Sequence, residues 1–299
     1  MRVTQSSMVD NLLKNINSNY KRLEKIQQQI ATGSTVLLPS DDPAQVTTIM
    51  RTKRAINEST QFIANSDKGV TWLNSADSAL SEATKVLQRA RELLVRGSTG
   101  TNTQGERDII ATEIEQLIKH LVNVGNSSIN GRHIFAGQKT LIQPYTYDEV
   151  NRMISYHGDN EYIQVEISPG VKENIGEPGI GIFGKADDPS DSGIFAALIK
   201  AVDDLANGQP VSSNIGDLDQ AIEDLLQRQA TIGTKSQGMS LAKNRLEEQN
   251  INFKKLLSEA KDVDIAKASI ELMSSSYVHM MSLQVGARII QPSLVDFLT

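Results

Sequence analysis

The stretch DVDIAKASIELMSSSYVHMMSLQVGARIIQPSLVDFLT, residues 262–299, decides how the rest of the chain is read. At helical spacing, Val263, Ala266, Ile270, Met273, Tyr277, Met280, Leu283, Ala287, Ile290, Leu294 and Phe297 fall three or four residues apart. They make one narrow apolar stripe on a single long helix, and a stripe that narrow needs a partner helix. The other end of the chain offers one. Val9, Leu12, Ile16, Leu23, Ile26 and Ile30 keep the same spacing, with polar Asn19 in the remaining slot. The two termini are therefore expected to meet along these stripes as a coiled coil. Thin seams bury little apolar surface per ordered residue, so the ends are expected to become firmly ordered only against further copies or another protein. Pro292 should bend or restart the last helix, leaving residues 294–298 as a terminal hook.

Working inward, Gly33 is a natural terminator for a first helix over about residues 7–32. Asp42 followed by Pro43 reads as cap and first helical position of a second helix. Its pattern runs through Val46, Ile49, Ile56 and Ile63, then cleanly through Leu73, Ala76, Leu80, Ala83, Leu87, Ala90 and Leu94. Gly97 to Gly100 is the turn, Thr103 with Glu106 is a capping box, and Ile110, Ile114, Leu117, Leu121 and Val124 form the stripe of an antiparallel third helix.

After Gly125 the texture changes. Glycines and prolines punctuate short β-forming runs at 153–157, 162–167 and 171–175, with His157-Gly158-Asp159-Asn160 placed like a hairpin loop between the first two. Asp191 or Ser192 opens a helix to about Ala206, and a further helical run begins near Asn214. The expected fold is mostly α with a small β insertion: an elongated molecule with paired terminal helices, a long antiparallel helix bundle and an outer β-rich domain. The corresponding division is 1–40 with 262–299 as a terminal assembly domain, 41–136 with 208–261 as a helical rod, and 137–207 as the β-rich part.

Composition narrows the function. Aromatic residues are only 4% of the 299, which suits long helices with thin seams better than one thick core. A net charge of -6 gives no reason to expect nucleic acid or an anionic membrane surface as partner. There is no cysteine, which removes disulfides, thiol catalysis and cysteine metal sites together. No run of 18 apolar residues reads as a membrane span, and the first residues lack the apolar core of a secretory signal peptide.

Motifs for chemistry are missing. Gly179-Ile180-Gly181-Ile182-Phe183-Gly184 matches a dinucleotide fingerprint by letter, but it lacks the strand before it and the helix after it. His120, His133, His157 and His279 lie far apart, without a second ligand at a metal-binding interval. The carboxylates sit at solvated helix positions and no serine occupies a nucleophile elbow. No catalytic residue, cofactor or metal is expected, and the chain reads as a non-enzyme.

Leu87-Gln88-Arg89-Ala90-Arg91-Glu92-Leu93-Leu94-Val95, followed by Gly100-Thr101-Asn102, closely resembles the amino-terminal helix and turn of bacterial flagellins, and Ser40-Asp41-Asp42-Pro43-Ala44 is similar to that family's entry into its long helix. The opening Met1-Arg2-Val3-Thr4, the segment Asn130-Gly131-Arg132-His133-Ile134-Phe135-Ala136-Gly137 and the ending Ser293-Leu294-Val295-Asp296-Phe297-Leu298 are similar to the family's hook-associated branch, whereas filament flagellins usually differ at all three. The resemblance implies a structural adaptor of the flagellum, its terminal helices in the inner tube of the axial structure and its β insertion facing outward. It implies export through the flagellum's own apparatus to an extracellular site. The implied partners are copies of itself, the preceding hook-associated protein, flagellin, and an export chaperone holding the carboxyl-terminal segment. Ile16, Leu23, Ile26, Ile270, Met273, Leu283, Ile290 and Leu294 are the expected assembly surface. The competing expectations are a filament-forming flagellin and a cytoplasmic coiled-coil scaffold.

Overall fold

The computed structural model describes residues 5–99, 102–187 and 191–290. The chain divides into two compact units, one made of Met1–Glu58 with Gln249–Thr299 and the other of Ser59–Glu248. Divided by texture, the sequence falls into three parts; divided by compactness, it falls into two.

The terminal unit holds α1 (Gln5–Thr32), the first residues of α2 (Pro43–Gly97), the last residues of α6 (Ser212–Lys261), and α7 (Ile265–Ile290). Gly33 ends α1 with a positive φ of 67°, a conformation that glycine adopts without a Cβ penalty. The chain then runs beside the α6–α7 junction. The amide of Thr35 donates to Lys261 O at 2.7 Å, and that of Val263 donates to Gly33 O at 3.0 Å. The expected cap on Asp42 is made here, and Asp264 supplies a second that the sequence reading does not name. Asp42 accepts from the Gln45 amide at 2.9 Å to start α2, and Asp264 accepts from the Lys267 amide at 3.1 Å to start α7.

The second unit is built on α2, α3 (Gln104–Gly125), α5 (Ile194–Ala206) and α6. The capping box read from the sequence is present, with Thr103 and Glu106 each taking the other's backbone N–H. Arg89 and Glu82 on α2 meet Glu113 and His120 on α3, and Arg91 and Asp67 on α2 meet Asp219 and Lys243 on α6, so both helices run antiparallel to α2. The apolar stripes meet in one continuous core. Leu80, Leu87, Leu94, Ile114, Leu121, Leu198 and Leu205 are fully enclosed in it.

Among the described residues, six short strands form three separate two-stranded ribbons: β1 (Ser128–Ile129) with β2 (Arg132–His133), β3 (Tyr145–Asp148) with β4 (Met153–Tyr156), and β5 (Ile163–Ser168) with β6 (Val171–Gly176). The hairpin expected at residues 157–160 is therefore a connector. β4 folds back onto β3 and β5 pairs forward with β6, so His157 to Asn160 joins two ribbons. Asp159 is occupied instead in receiving the amide of Gln138 at 2.7 Å. Phe135, Tyr145, Phe183 and Phe195 fasten the ribbons to the helices as a buried aromatic cluster. Its ring centroids lie 5.1 to 6.0 Å apart. The helix expected to open on Asp191 or Ser192 is entered from Gly193 with no side-chain cap; Asp191 receives the amide of Asp187 at 3.0 Å.

The glycine run has a packing explanation. It forms a single helical turn, α4 (Gly179–Ile182), three residues after β6. A Cβ on Gly179 would stand 2.8 Å from the Tyr145 hydroxyl, so glycine lets the turn lie against the aromatic cluster.

Candidate assembly interface

The terminal unit is where the sequence placed the functional surface, and α1 and α7 do pack antiparallel along their length. Arg22 meets Glu271 at 2.9 Å, Asn19 donates to Ser282 Oγ at 3.1 Å, and Leu12 and Ile16 come against Gly286. On α1 the inward stripe is the expected one. Val9, Leu12, Ile16, Asn19, Leu23 and Ile30 are half-buried and Ile26 is only 4% exposed.

On α7 the expectation fails. The side chains turned toward α1 are Ala268, Leu272, Ser275, His279, Ser282 and Gly286, buried or half-buried at steps of three and four. The stripe read from the sequence lies elsewhere on the helix surface: Ile270 is 70% exposed, Met273 73%, Tyr277 63%, Met280 55% and Leu283 49%. The physical reason is size. A Cβ at Gly286 would lie 3.1 Å from Leu12 Cδ2, so small side chains here let the bulky residues of α1 come close to the α7 backbone. A row of isoleucine and methionine would hold the two helices apart.

α7 therefore carries two stripes with the same spacing. The small one completes the chain's own helix pair. The bulky one has no partner among the described residues of the terminal unit, and Val278, Met281 and Val285 extend its exposed apolar surface. Of the eight expected assembly residues, Ile16, Leu23 and Ile26 belong to the intrachain seam, whereas Ile270, Met273 and Leu283 face outward. The side chain of Ile290, together with Leu294 and the bend at Pro292, lies outside the described residues. Tyr277 and Met280, which the expected set omits, belong with the outward group. The inward set was findable as a repeat of small residues seven apart, Ala268, Ser275 and Ser282, running beside Leu272, His279 and Gly286.

Polar groups add little energy to this pair. Arg22 and Glu271 are both substantially solvated, so their ion pair contributes well under about 1 kcal/mol. The His279 ring lies 6.0 Å from that of Tyr20, and its enclosed Nδ1 has no hydrogen-bond partner among the described residues. Among the same residues no three metal-ligating side chains converge, and no helix is long and apolar enough to cross a membrane.

Residues 3–140 match the bacterial flagellin N-terminal helical region, and residues 215–298 match the bacterial flagellin C-terminal helical region. The chain belongs to the bacterial flagellin family. Both matched regions fall mainly on α1, α2, α3, α6 and α7, the helices whose stripes are described above. Among flagellin-family proteins, it is 28% identical over 184 residues to the flagellar hook-associated protein 3 of Salmonella typhimurium, covering 61% of this chain and 57% of that protein. The match thus takes in little more than half of that relative's length. The Escherichia coli flagellar hook-associated protein 3 is likewise 28% identical, over 231 residues, covering 74% of this chain and 71% of that protein. A structure titled as a putative flagellar hook-associated protein from Vibrio parahaemolyticus shares the fold with a TM-score of 0.64 at 17% identity, covering 74% of this chain and all of that one.

Proposed function

We propose that this flagellin-family chain is a structural adaptor at the junction between the flagellar hook and the filament, built into the axial structure through its terminal helices. The observation that carries the reading is the outward stripe of α7. Five large apolar side chains at helical spacing are 49% to 73% exposed, on a helix whose other stripe is already satisfied by α1. Monomeric proteins rarely leave so long an apolar row in water. Covering what is exposed of these five would return on the order of 5–10 kcal/mol per subunit before the costs of association. Further copies of the chain, the preceding hook-associated protein and flagellin are the partners that would supply the cover. An export chaperone holding the carboxyl-terminal segment would mask the same row before assembly. The two curated relatives described above are each named flagellar hook-associated protein 3, and that supports the junction over the filament shaft.

Deleting the gene, imaging the cells by electron microscopy and probing the medium for flagellin tests the assignment. Hooks without filaments, with flagellin lost to the medium, are expected. Intact filaments would refute an essential junction role. Bare hooks with no flagellin anywhere would make this chain the filament subunit.

A further inference from the structure

Away from the terminal helices, the second unit contains a cleft of about 910 Å³ between α2, the β1–β2 turn and β5. That volume is in the range that holds small organic ligands. Its chemistry differs from the surrounding surface in two ways. The first is charge. Three charged residues line it, Asp67, Lys68 and Arg132. Asp67 is matched by Lys243 at 2.6 Å, whereas Lys68 and Arg132 have no ion-pair partner among the described residues. A chain with a net charge of -6 thus keeps two uncompensated cations in one concavity. The second is the aromatic content. Trp72, the only tryptophan of the chain, and exposed Tyr162 both line the cleft, in a protein that is 4% aromatic. The indole nitrogen of Trp72 is enclosed and has no hydrogen-bond partner among the described residues, so the exposed part of this half-buried ring is carbon surface.

The polar rim narrows the ligand class. Asn130 brings an amide that both donates and accepts, and Gln138 and Gln164, whose Nε2 groups already donate to Tyr162 O at 3.4 Å and to Asn174 Oδ1 at 2.9 Å, bring side-chain oxygens that accept from hydroxyls. An added peptide strand is disfavoured, because two backbone carbonyls at and just before β5 are already used. Glu166 O accepts from Asn65 Nδ2 at 2.8 Å and Tyr162 O accepts from Gln138 Nε2 at 3.4 Å. Charge, ring faces and amides together fit a carboxylated sugar. We infer that this cleft binds an acidic oligosaccharide, with Lys68 and Arg132 on its carboxylate, Trp72 and Tyr162 on its ring faces and the amides on its hydroxyls.

Because the chain has one tryptophan, its emission reports on this cleft alone. The full chain is titrated with oligogalacturonate, with neutral cello-oligosaccharide and with sodium sulfate, with calorimetry in parallel. Saturable binding of oligogalacturonate is expected, at least about tenfold tighter than the neutral sugar, with sulfate alone ineffective. Arg132→Ala and Lys68→Ala, both at exposed positions, should each weaken it about tenfold while the circular dichroism spectrum stays unchanged. Tyr162→Ala should weaken the acidic and neutral sugars alike. No saturable binding of oligogalacturonate would overturn the inference. So would equal affinity for the neutral sugar, an equal response to sulfate, or undiminished binding by both cation variants.

Discussion

Replacing Ile270 by aspartate separates a residue that holds the chain together from one that holds subunits together. Ile270 is 70% exposed, so less than a third of its surface is covered within the chain. Full burial of an isoleucine side chain is worth about 1.5–3 kcal/mol. The monomer therefore loses less than about 1 kcal/mol in Ile270→Asp, as at most surface positions. If assembly covers the remaining two thirds, the variant forfeits about 1–2 kcal/mol of apolar burial and also strands a carboxylate out of water, which costs several kcal/mol. A penalty of at least about 4 kcal/mol per contact weakens association about a thousandfold. The assay has two arms: urea unfolding of the purified monomer followed by circular dichroism, and rescue of filament growth in the deletion strain. The expected result is a nearly unchanged unfolding midpoint with rescue abolished. A monomer destabilised by well over 1 kcal/mol would refute the placement of Ile270 on the outward stripe. Full rescue would refute the burial of that stripe in the assembled structure.

The inward stripe is tested at Gly286. A valine there should force α7 away from Leu12 and Ile16, cost about 1–3 kcal/mol locally, and speed hydrogen exchange across α1 while the second unit is unaffected. Thr103→Ala removes half of the capping box and should destabilise α3 by about 1 kcal/mol in urea melts. The Thr103 backbone N–H, and then its hydroxyl, hold the Glu106 carboxyl below the usual carboxylate range. Its contribution is therefore present above the unfolded carboxylate pKa and lost as pH falls through the lower folded value, and acid titration of Thr103→Ala should show less of this loss. At the alkaline end, burial pushes the Tyr156 phenol up to about 12. That stabilisation is complete below the unfolded phenol value of about 10 and lost as pH rises through about 12. Spectrophotometric titration should show Tyr156→Phe removing one late-ionising tyrosine.

Helix limits were legible because they rest on local chemistry. Asp42 before Pro43, Thr103 with Glu106 and a glycine at position 33 each satisfy or stop a backbone within a few residues, and no distant partner can alter that. The stripes of α2 and α3 were legible because bulky aliphatics mark a buried face there. The same rule misled at α7. A row of Ala, Ser and Gly carries no hydrophobic signal, yet it is the face that lets the chain close on itself, while the loudest apolar pattern points away. Hydrophobic periodicity says that a face will be covered; it does not say by which chain. The ribbons failed differently. β3 is four residues long and Tyr145 at its start is buried in the aromatic cluster, so it did not stand out as a run and residues 157–160 looked like a turn between the first two of the three runs that did.

Because the two stripes of α7 share no residue, a substitution on one is nearly silent on the other. Drift along Ile270, Met273, Tyr277, Met280 and Leu283 leaves the fold of the single chain intact, so selection for a new neighbour can act there unopposed by any loss of solubility through misfolding. Drift along Ala268, Ser275, Ser282 and Gly286 is constrained by volume and, at Ser282, by the hydrogen bond from Asn19. The same separation serves an engineer: the outer row can be rewritten to accept a foreign helix while the inner row keeps the helix pair that presents it.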